Sequence, residues 1–258
     1  MTATVTVGPE ELGDEIGCDA LRPLLVGLDI DGVLSPIVEH AHESALLAGM
    51  LDDIIALCRV TPVAVVSGRD LATIERLFGF PEDVTVVGSH GLEPRGTTVE
   101  PSSEERARLA ELVALAERAA ERVGEGAWVE HKPLSVALHT RQSVAPGRSV
   151  EGAAWLGHAA EQVAGTTIKF GSEVVELLAR PTSKATTMAE LREAARAASV
   201  LFVGDDVTDE DVFAVLGDSD WSVRVGPGET SARHRLADPG AVQQFVRRLT
   251  NRLTSRLG

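Results

Sequence analysis

The chain has 258 residues, 44% of them hydrophobic, and carries a formal net charge of -15 at pH 7. That much apolar sequence can build the packed core of one large domain or of two modest ones. The negative charge disfavours nucleic acid and anionic membranes as partners, because both are bound through clustered Lys and Arg. An anionic small substrate remains compatible with this charge if a metal ion and a few placed cations neutralise it locally.

The sequence also indicates where the protein works. The first twenty residues contain neither a basic segment nor a continuous apolar one, and no apolar run approaches the roughly 18 residues of a membrane span. Cys18 and Cys58 are the two cysteines of the chain and lack metal-ligand spacing, so reduced thiols are expected. We therefore predict a cytoplasmic protein.

In chain order, residues 1–20 are predicted to be a poorly ordered lead-in, and four short apolar runs then predict buried parallel strands. These runs are LLVGL at 24–28, PVAVV at 62–66, VTVVG at 84–88 and VLFVG at 200–204. Apolar residues at helical spacing predict helices at 44–59, 70–78, 183–197 and 241–253. In the last of these helices Asp238 is the expected N-cap, with Pro239 at the first helical position. Strands that alternate with helices favour a parallel, doubly wound sheet.

The middle of the chain follows a different pattern. Ser102 and Glu105 fit a capping box that opens a helix to about Val123, and a second helix is expected from Pro146 to about Val163. Residues 128–141 alternate like an exposed-face strand or a hairpin, and 167–178 is another strand-like stretch. We predict a small α+β module at 96–180, inserted as a cap into a core domain formed by 21–95 and 181–258.

Polar residues follow the predicted strands at the edge where ligands bind in open parallel sheets. Asp29 and Asp31 follow the first strand in DIDGVL, Ser67 follows the second in SGRD, and Asp205, Asp206 and Asp209 follow the fourth in GDDVTDED. Lys184 lies near the start of the helix that precedes the last of these strands. Crowded carboxylates repel each other unless a hard cation neutralises them, and oxygen ligands of this type suit magnesium.

Each of these segments also has a simpler interpretation. The sequence DxDG is common in turns, Lys184 alone would be a surface lysine, and GDDVTDED fits an acid-rich helix N-terminus. The acidic segment lacks the glycine that a calcium-binding EF-hand loop requires at its sixth position. Because all four segments occur in order at strand ends, a catalytic site is the favoured interpretation.

This ordered set resembles the haloacid dehalogenase (HAD) phosphatase superfamily, which implies a HAD-like Rossmannoid α/β core. The resemblance implies that Asp29 attacks phosphorus, while Asp31 protonates the leaving oxygen and later activates water. It also implies that Mg²⁺ is held by the Asp29 carboxylate, the Asp31 backbone carbonyl and Asp205, with Asp209 bound directly or through water. Ser67 and Lys184 would hold the phosphoryl oxygens.

Within that superfamily, residues 24–250 resemble the trehalose-6-phosphate phosphatases. The resemblance is carried by SGR at 67–69, GSHG at 88–91, E-x-K followed by SxxxHxR between 130 and 141, and GDDVTDEDVF at 204–213. It implies hydrolysis of a small sugar phosphate, trehalose 6-phosphate, with a functional link to a trehalose-phosphate synthase. It also implies a set of substrate-binding residues: Gly68, Arg69, His90, Glu130, Lys132, Arg141 and Glu176.

Three positions depart from the family pattern, and none of them is a catalytic group. Thr140 stands where Tyr is common, Leu178 where Arg is common and Ala185 where Gly is common. A related phosphatase acting on sucrose phosphate, a glycosyl-phosphoglycerate or a hexose phosphate is therefore an alternative, as are a mutase and a non-catalytic sugar-phosphate sensor. Periodicity alone would place Glu130, Lys132 and Arg141 on a solvated strand face.

Overall fold

The computed structural model describes residues 4–256 and divides them into two units. The inserted unit is Thr98–Thr182, and the core unit combines the residues up to Thr97 with those from Ser183 onward. The structure thus places the boundaries at Thr98 and Thr182, where the sequence suggested 96 and 180. Among residues 4–256, no helix is long and apolar enough to span a membrane.

The core unit is built on an eight-stranded, mostly parallel sheet. Its strands are β1 (Val5–Thr6), β2 (Leu24–Leu28), β3 (Val63–Val66), β4 (Thr85–Gly88), β5 (Glu93–Pro94), β10 (Ser199–Gly204), β11 (Trp221–Val225) and β12 (His234–Leu236). The strand order is β1-β12-β11-β10-β2-β3-β4-β5, and only the β4–β5 pair is antiparallel. The four strands predicted from apolar runs are confirmed as β2, β3, β4 and β10.

Helices cover both faces of this sheet. They are α1 (Pro9–Asp19), α2 (Met50–Cys58), α3 (Leu71–Phe78), α6 (Lys184–Ala195), α7 (Val207–Phe213) and α8 (Pro239–Ser255). Val26 and Leu28 pack into one apolar cluster with α1, α2 and α8, whereas Leu25 packs into another with α6 and α7. Because β2 is buried on both faces, its sequence is an uninterrupted apolar run.

The inserted unit has an antiparallel sheet with two helices packed on one face. Its elements are α4 (Ser103–Val123), β6 (Trp128–His131), β7 (Ser135–His139), α5 (Pro146–Ala160), β8 (Thr167–Gly171) and β9 (Val174–Leu178). The strand order is β6-β7-β9-β8. The predicted capping box is confirmed, because the Ser102 side chain accepts from the Glu105 amide and the Glu105 carboxylate accepts from the Ser102 amide.

The structure corrects three expectations from the sequence. Residues 9–19 form a helix, so the prediction of a poorly ordered lead-in over residues 1–20 is wrong for this stretch; residues 1–3 lie outside the described part of the chain. The helix expected at 44–59 begins only at Met50, because Gly49 adopts a left-handed φ of 80°. The stretch 167–178 is a hairpin of two strands.

Helix α1 is stabilised by close packing against α8. A Cβ atom added to Gly17 would lie 2.5 Å from Arg252 Cβ, so the two helices approach too closely for any larger residue. One turn earlier, Asp14 pairs with Arg248 at 2.6 Å and also with Arg252. These arginines hold the pKa of Asp14 down at about 2. Gly13 and Gly17 disfavour a helix locally, so α1 depends on these tertiary contacts for its stability.

Substitution of Gly17 by Ala tests this packing. We expect Gly17→Ala to lower the free energy of unfolding by about 1–3 kcal/mol, because the methyl group forces α1 and α8 apart. Urea and thermal unfolding measure the change. Gly147→Ala is the matched control, since a Cβ at this helical glycine meets nothing within 4 Å. The control should be neutral or slightly stabilising, and equal effects of the two variants would contradict the packing account.

Candidate active site

The carboxyl ends of three neighbouring strands bring the predicted catalytic residues to one edge of the core sheet. Asp29 follows β2, Ser67 follows β3 and Asp205 follows β10, and β2 lies between the other two strands. The amide of Asp29 donates to the Val203 carbonyl at 3.0 Å, which fixes the position of Asp29 beside the end of β10. The sequence-based placement of these residues at a common edge is therefore confirmed for the backbone.

Lys184 is the central cation of this edge. Its Nζ donates to Asp29 Oδ2 at 2.5 Å and to Asp209 Oδ1 at 2.7 Å. Lys184 is the first residue of α6, and Ser183 caps that helix by accepting from the Thr186 amide. The cap fixes where the helix begins and so aims the lysine from the helix start toward the carboxylates.

All three partners are buried, so their charges must compensate each other. Lys184 is 2% exposed, Asp29 5% and Asp209 0%. Burial raises the pKa of Asp29 well above its usual range, and the Lys184 ammonium opposes that rise. Burial alone would lower the pKa of Lys184, but Asp209 and Asp29 outweigh it and raise that pKa. Removal of Lys184 would leave two buried carboxylates unpaired, which is strongly destabilising.

Asp29, Asp205 and Asp209 could together hold a metal ion. One carboxylate oxygen from each lies within 4.8 Å of the others. Burial, together with the nearby Asp209, raises the pKa of Asp205 to about 7. Three carboxylates against one lysine leave excess negative charge in a buried site, and a hard divalent cation with oxygen ligands would offset it. The donor set therefore fits the predicted Mg²⁺.

Two glycines that the sequence analysis did not assign make room for this cluster. Gly32 adopts a φ of 71°, and a Cβ there would lie 2.0 Å from Asp205 Oδ2. A Cβ at Gly204 would lie 2.3 Å from Asp209 Cγ. The glycines of DxDG and GDD thus provide space for carboxylates in addition to forming turns. In the sequence, the only sign of this role is that Gly occupies these positions.

Asp209 differs from the other two carboxylates because one of its oxygens accepts from two backbone amides. Oδ1 accepts from Lys184, while Oδ2 accepts from the amides of Asp205 at 2.8 Å and Asp206 at 3.0 Å. Asp206 and Asp209 also form the capping box of α7. The interpretation of GDDVTDED as an acid-rich helix N-terminus therefore holds alongside its place in the carboxylate cluster.

Asp31, two residues after Asp29, pairs with an arginine. Arg69 Nε donates to Asp31 Oδ2 at 2.6 Å and Nη2 donates to Oδ1 at 2.7 Å, a bidentate pair. The remaining Arg69 nitrogen donates to the Ala41 carbonyl at 2.8 Å, and Ser44 Oγ donates to Asp31 at 3.1 Å. The Asp31 side chain is 36% exposed. Arg69, predicted to contact substrate, thus also orients Asp31.

The SGR and GSHG segments pack against each other through their backbones. The His90 amide donates to the Ser67 carbonyl at 2.9 Å, and the Ser89 amide donates to the Arg69 carbonyl at 2.7 Å. A Cβ at Gly68 would lie 2.6 Å from His90 Cε1, so this glycine admits the imidazole ring. His90 has a φ of 56°, a left-handed conformation that this packing stabilises.

In the inserted unit, three of the four predicted sugar-binding residues lie together. Lys132 Nζ lies 3.0 Å from Glu176 Oε1 and 3.9 Å from Glu130 Oε2. Ser135 Oγ donates to Glu176 at 2.7 Å, and His139 Nε2 lies 2.9 Å from Glu130 Oε2.

Ser135 and His139 were not predicted as site residues. They are the Ser and His of the SxxxHxR motif, and strand alternation places them on the same face as Glu130.

Arg141 forms an ion pair with a glutamate that precedes β9. It follows β7 and faces Glu173 at 3.5 Å, with both side chains about half exposed. Glu130, Lys132 and Glu176 are thus joined by close contacts of their charged groups, and the ion pair of Arg141 is with Glu173.

Comparisons with known proteins agree with this architecture. The family model for trehalose-phosphatase matches residues 27–239. A trehalose-phosphate phosphatase of Mycobacterium marinum is 34% identical over 267 residues, which cover 95% of this chain and 66% of the relative. A trehalose-phosphate phosphatase of Mycobacterium tuberculosis is 36% identical over 265 residues, which cover 95% of this chain and 65% of the relative. The structure of Aspergillus fumigatus trehalose-6-phosphate phosphatase has a TM-score of 0.69 and 27% identity, covering 96% of this chain and 99% of that chain.

The fold and the carboxylate site together define a HAD-like α/β protein. The chain belongs to the trehalose-phosphatase family. It spans just under two thirds of the length of these mycobacterial relatives.

The pKa of Asp205 gives a pH-dependent prediction for metal binding. Asp205 has a pKa of about 7 in the folded protein against an ordinary value of 3.8, so the folded state without metal binds the extra proton. The contribution of protonated Asp205 to the free energy of unfolding is fully present below pH 3.8, its ordinary pKa. It is lost as the pH rises through about 7, its pKa in the folded protein. A divalent cation needs the ionised carboxylate and competes with that proton. We therefore expect Mg²⁺ to raise Tm more at about pH 8 than at about pH 5.5.

Thermal unfolding with Mg²⁺ and with chelator at both pH values measures this difference. Asp205→Asn is the control and should remove most of the Mg²⁺-dependent rise in Tm. An equal rise at both pH values in the unsubstituted protein would contradict the assignment of Asp205 as a metal ligand.

Proposed function

We propose that the protein hydrolyses trehalose 6-phosphate to trehalose and phosphate through an aspartyl-phosphate intermediate. The observation that carries this proposal is the buried Lys184, held between Asp29 and Asp209 beside Asp205. Membership of the trehalose-phosphatase family and the trehalose-phosphate phosphatase names of its relatives support the choice of substrate. A separate synthase would supply the phosphorylated disaccharide.

Asp29 acts as the nucleophile in this proposal. One of its carboxylate oxygens forms a bond to phosphorus as the bond from phosphorus to the sugar oxygen breaks. The leaving sugar oxygen takes a proton from Asp31. A water molecule then attacks the phosphorus of the aspartyl-phosphate and gives its proton to Asp31, which frees Asp29 and inorganic phosphate. The Ile30 amide, which donates to Asp29 Oδ1 at 2.7 Å, and Lys184 on Oδ2 orient the attacking carboxylate.

The phosphoryl group is positioned by Ser67 and Lys184, which are both buried at the carboxyl edge of the sheet. Bound Mg²⁺ would offset the charge that builds up on the phosphoryl oxygens. Asp29, Asp205 and the Asp31 backbone carbonyl are the proposed ligands. Because Asp209 accepts from Lys184 and from the amides of both Asp205 and Asp206, we assign it the task of holding Lys184 and the Asp205–Asp206 loop.

Sugar recognition in the inserted unit is assigned to charged residues. Glu130, Lys132 and Glu176 would hydrogen-bond sugar hydroxyls, since hydrogen bonds that involve ions are the stronger class. Arg141, on the turn after β7, is assigned the same role. In the core unit, the residues proposed to bind substrate are Gly68, Arg69 and His90.

Hydrolysis of another sugar phosphate is the second candidate function, and two positions in the inserted unit favour it. Where the family commonly has Tyr and Arg, this chain has Thr140 and Leu178, and both are buried, at 5% and 0% exposure. Thr140 Oγ1 donates to the Glu173 carbonyl at 3.1 Å. A non-catalytic sensor is a poorer fit, because the nucleophile, the lysine and the predicted metal ligands are all present.

A substrate panel tests the reaction and its substrate. We expect Mg²⁺-dependent phosphate release that strongly favours trehalose 6-phosphate over sucrose 6-phosphate, glucose 6-phosphate and a glycosyl-phosphoglycerate. Asp29→Asn should reduce release to background while the protein still binds trehalose 6-phosphate.

Other results on this panel would replace parts of the proposal. Preference for another ester would keep the aspartate chemistry and replace the substrate, and transfer of phosphate to a second sugar position would indicate a mutase. Binding of trehalose 6-phosphate without any release would indicate a sensor.

The role of Asp31 is tested separately through the leaving group. We expect Asp31→Asn to lower kcat/KM for trehalose 6-phosphate by about 10²–10⁴-fold, because a sugar alkoxide must be protonated as it leaves. The loss for p-nitrophenyl phosphate should be much smaller, since nitrophenolate leaves without a proton. The quantity kcat/KM reports only the first, phosphorylating step. Equal losses for both substrates would exclude Asp31 as the general acid.

A further inference from the structure

Trp128 is an exposed aromatic residue on a face of the inserted unit that also carries charged groups. It is the first residue of β6 and is 47% exposed, in a chain that has only three Trp, six Phe and no Tyr. Its neighbours Ala127 and Val129 pack against the apolar core of the unit, but Trp128 does not belong to that core. Packing of the core therefore does not explain why an indole stands at this position.

The indole ring is held in a fixed orientation by a histidine on the adjacent strand. Trp128 and His139 are cross-strand partners, and their rings lie 4.1 Å apart with an interplanar angle of 8°. His139 Nε2 is in turn 2.9 Å from Glu130 Oε2. One face of the indole thus lies on a ring that is itself hydrogen-bonded, which limits rotation of the Trp128 side chain.

The residues beside this pair are those that the proposed function assigns to the sugar. Strand pairing places Trp128, Glu130 and His139 on one face of the sheet, with Glu176 next along it opposite Ala137. A continuous series of contacts runs from Trp128 through His139 and Glu130 to Lys132 and Glu176. The helices α4 and α5 pack on the opposite face through residues such as Val136 and Leu138.

An aromatic face beside ionised hydrogen-bonding groups is suited to a pyranose ring. The C–H groups of a pyranose form an apolar patch with positive character, which matches the negative face of an indole, while the hydroxyls around the ring need polar partners. Resting on the proposed function, we propose that Trp128 is a specificity-determining residue whose indole, held by His139, stacks on a pyranose ring of the substrate sugar.

Steady-state kinetics on three variants test this role. Trp128→Ala should raise KM for trehalose 6-phosphate by about fivefold to thirtyfold with little change in kcat, as expected for loss of an aromatic binding contact. Trp128→Phe keeps an aromatic face and should recover most of the loss. Trp155→Ala is the matched control: Trp155 belongs to the same unit but lies on α5 under Arg122 at 4.4 Å, and KM should stay unchanged.

Tryptophan emission gives a readout that does not depend on turnover. In a Trp155→Phe, Trp221→Phe protein, Trp128 is the sole source of indole emission, and titration with unphosphorylated trehalose should change that emission with saturation. Circular dichroism of each variant checks that the fold is retained.

The outcomes separate this inference from the proposed function. If the protein hydrolyses trehalose 6-phosphate but Trp128→Ala leaves KM unchanged and trehalose leaves the emission unchanged, the stacking role is overturned. A rise in KM of the same size in Trp155→Ala would also overturn it. If the protein hydrolyses no member of the substrate panel, the proposed function fails; a saturable emission change with trehalose would then still support the stacking surface, and no change would overturn it.

Discussion

The contact of Lys184 with Asp29 and Asp209 is the interaction on which the rest of the site depends. Two carboxylates almost fully excluded from water can stay ionised only with a compensating cation in contact, and the Lys184 ammonium bonds to both. The position of the lysine follows from the capped start of α6, and that of Asp209 from its bonds to the amides of Asp205 and Asp206. A change to any of these groups would alter the charge balance that the other groups experience.

Much of the core unit could be predicted from the sequence because its strands are buried on both faces. A short, mostly apolar run followed by polar residues is a strong local signal, and β2, β3, β4 and β10 all carry it. Helix α1 carries no such signal. Gly13 and Gly17 disfavour a helix locally, and only the close approach of α8 in three dimensions favours it. Strands β11 and β12 were missed because they are short and only partly apolar.

The site shows the same division between local and long-range information. Residue type and order at strand ends were enough to predict that Asp29, Ser67 and Asp205 share one sheet edge, because sheet topology fixes where strand ends meet. The bidentate Arg69–Asp31 pair could not be foreseen, since it joins residues 38 positions apart through side-chain geometry alone. By contrast, strand alternation could have placed His139 beside Glu130.

The proposed reaction begins with attack on phosphorus by the Asp29 carboxylate, whose charge Lys184 balances. Rapid acid quenching of the Mg²⁺-loaded protein with trehalose 6-phosphate, followed by peptide mass spectrometry, detects the phosphorylated enzyme. We expect one phosphoryl group on the peptide that contains Asp29, present during turnover and absent from Asp29→Asn. Phosphate release without any phosphorylated peptide, or a phosphoryl group on another residue, would contradict it.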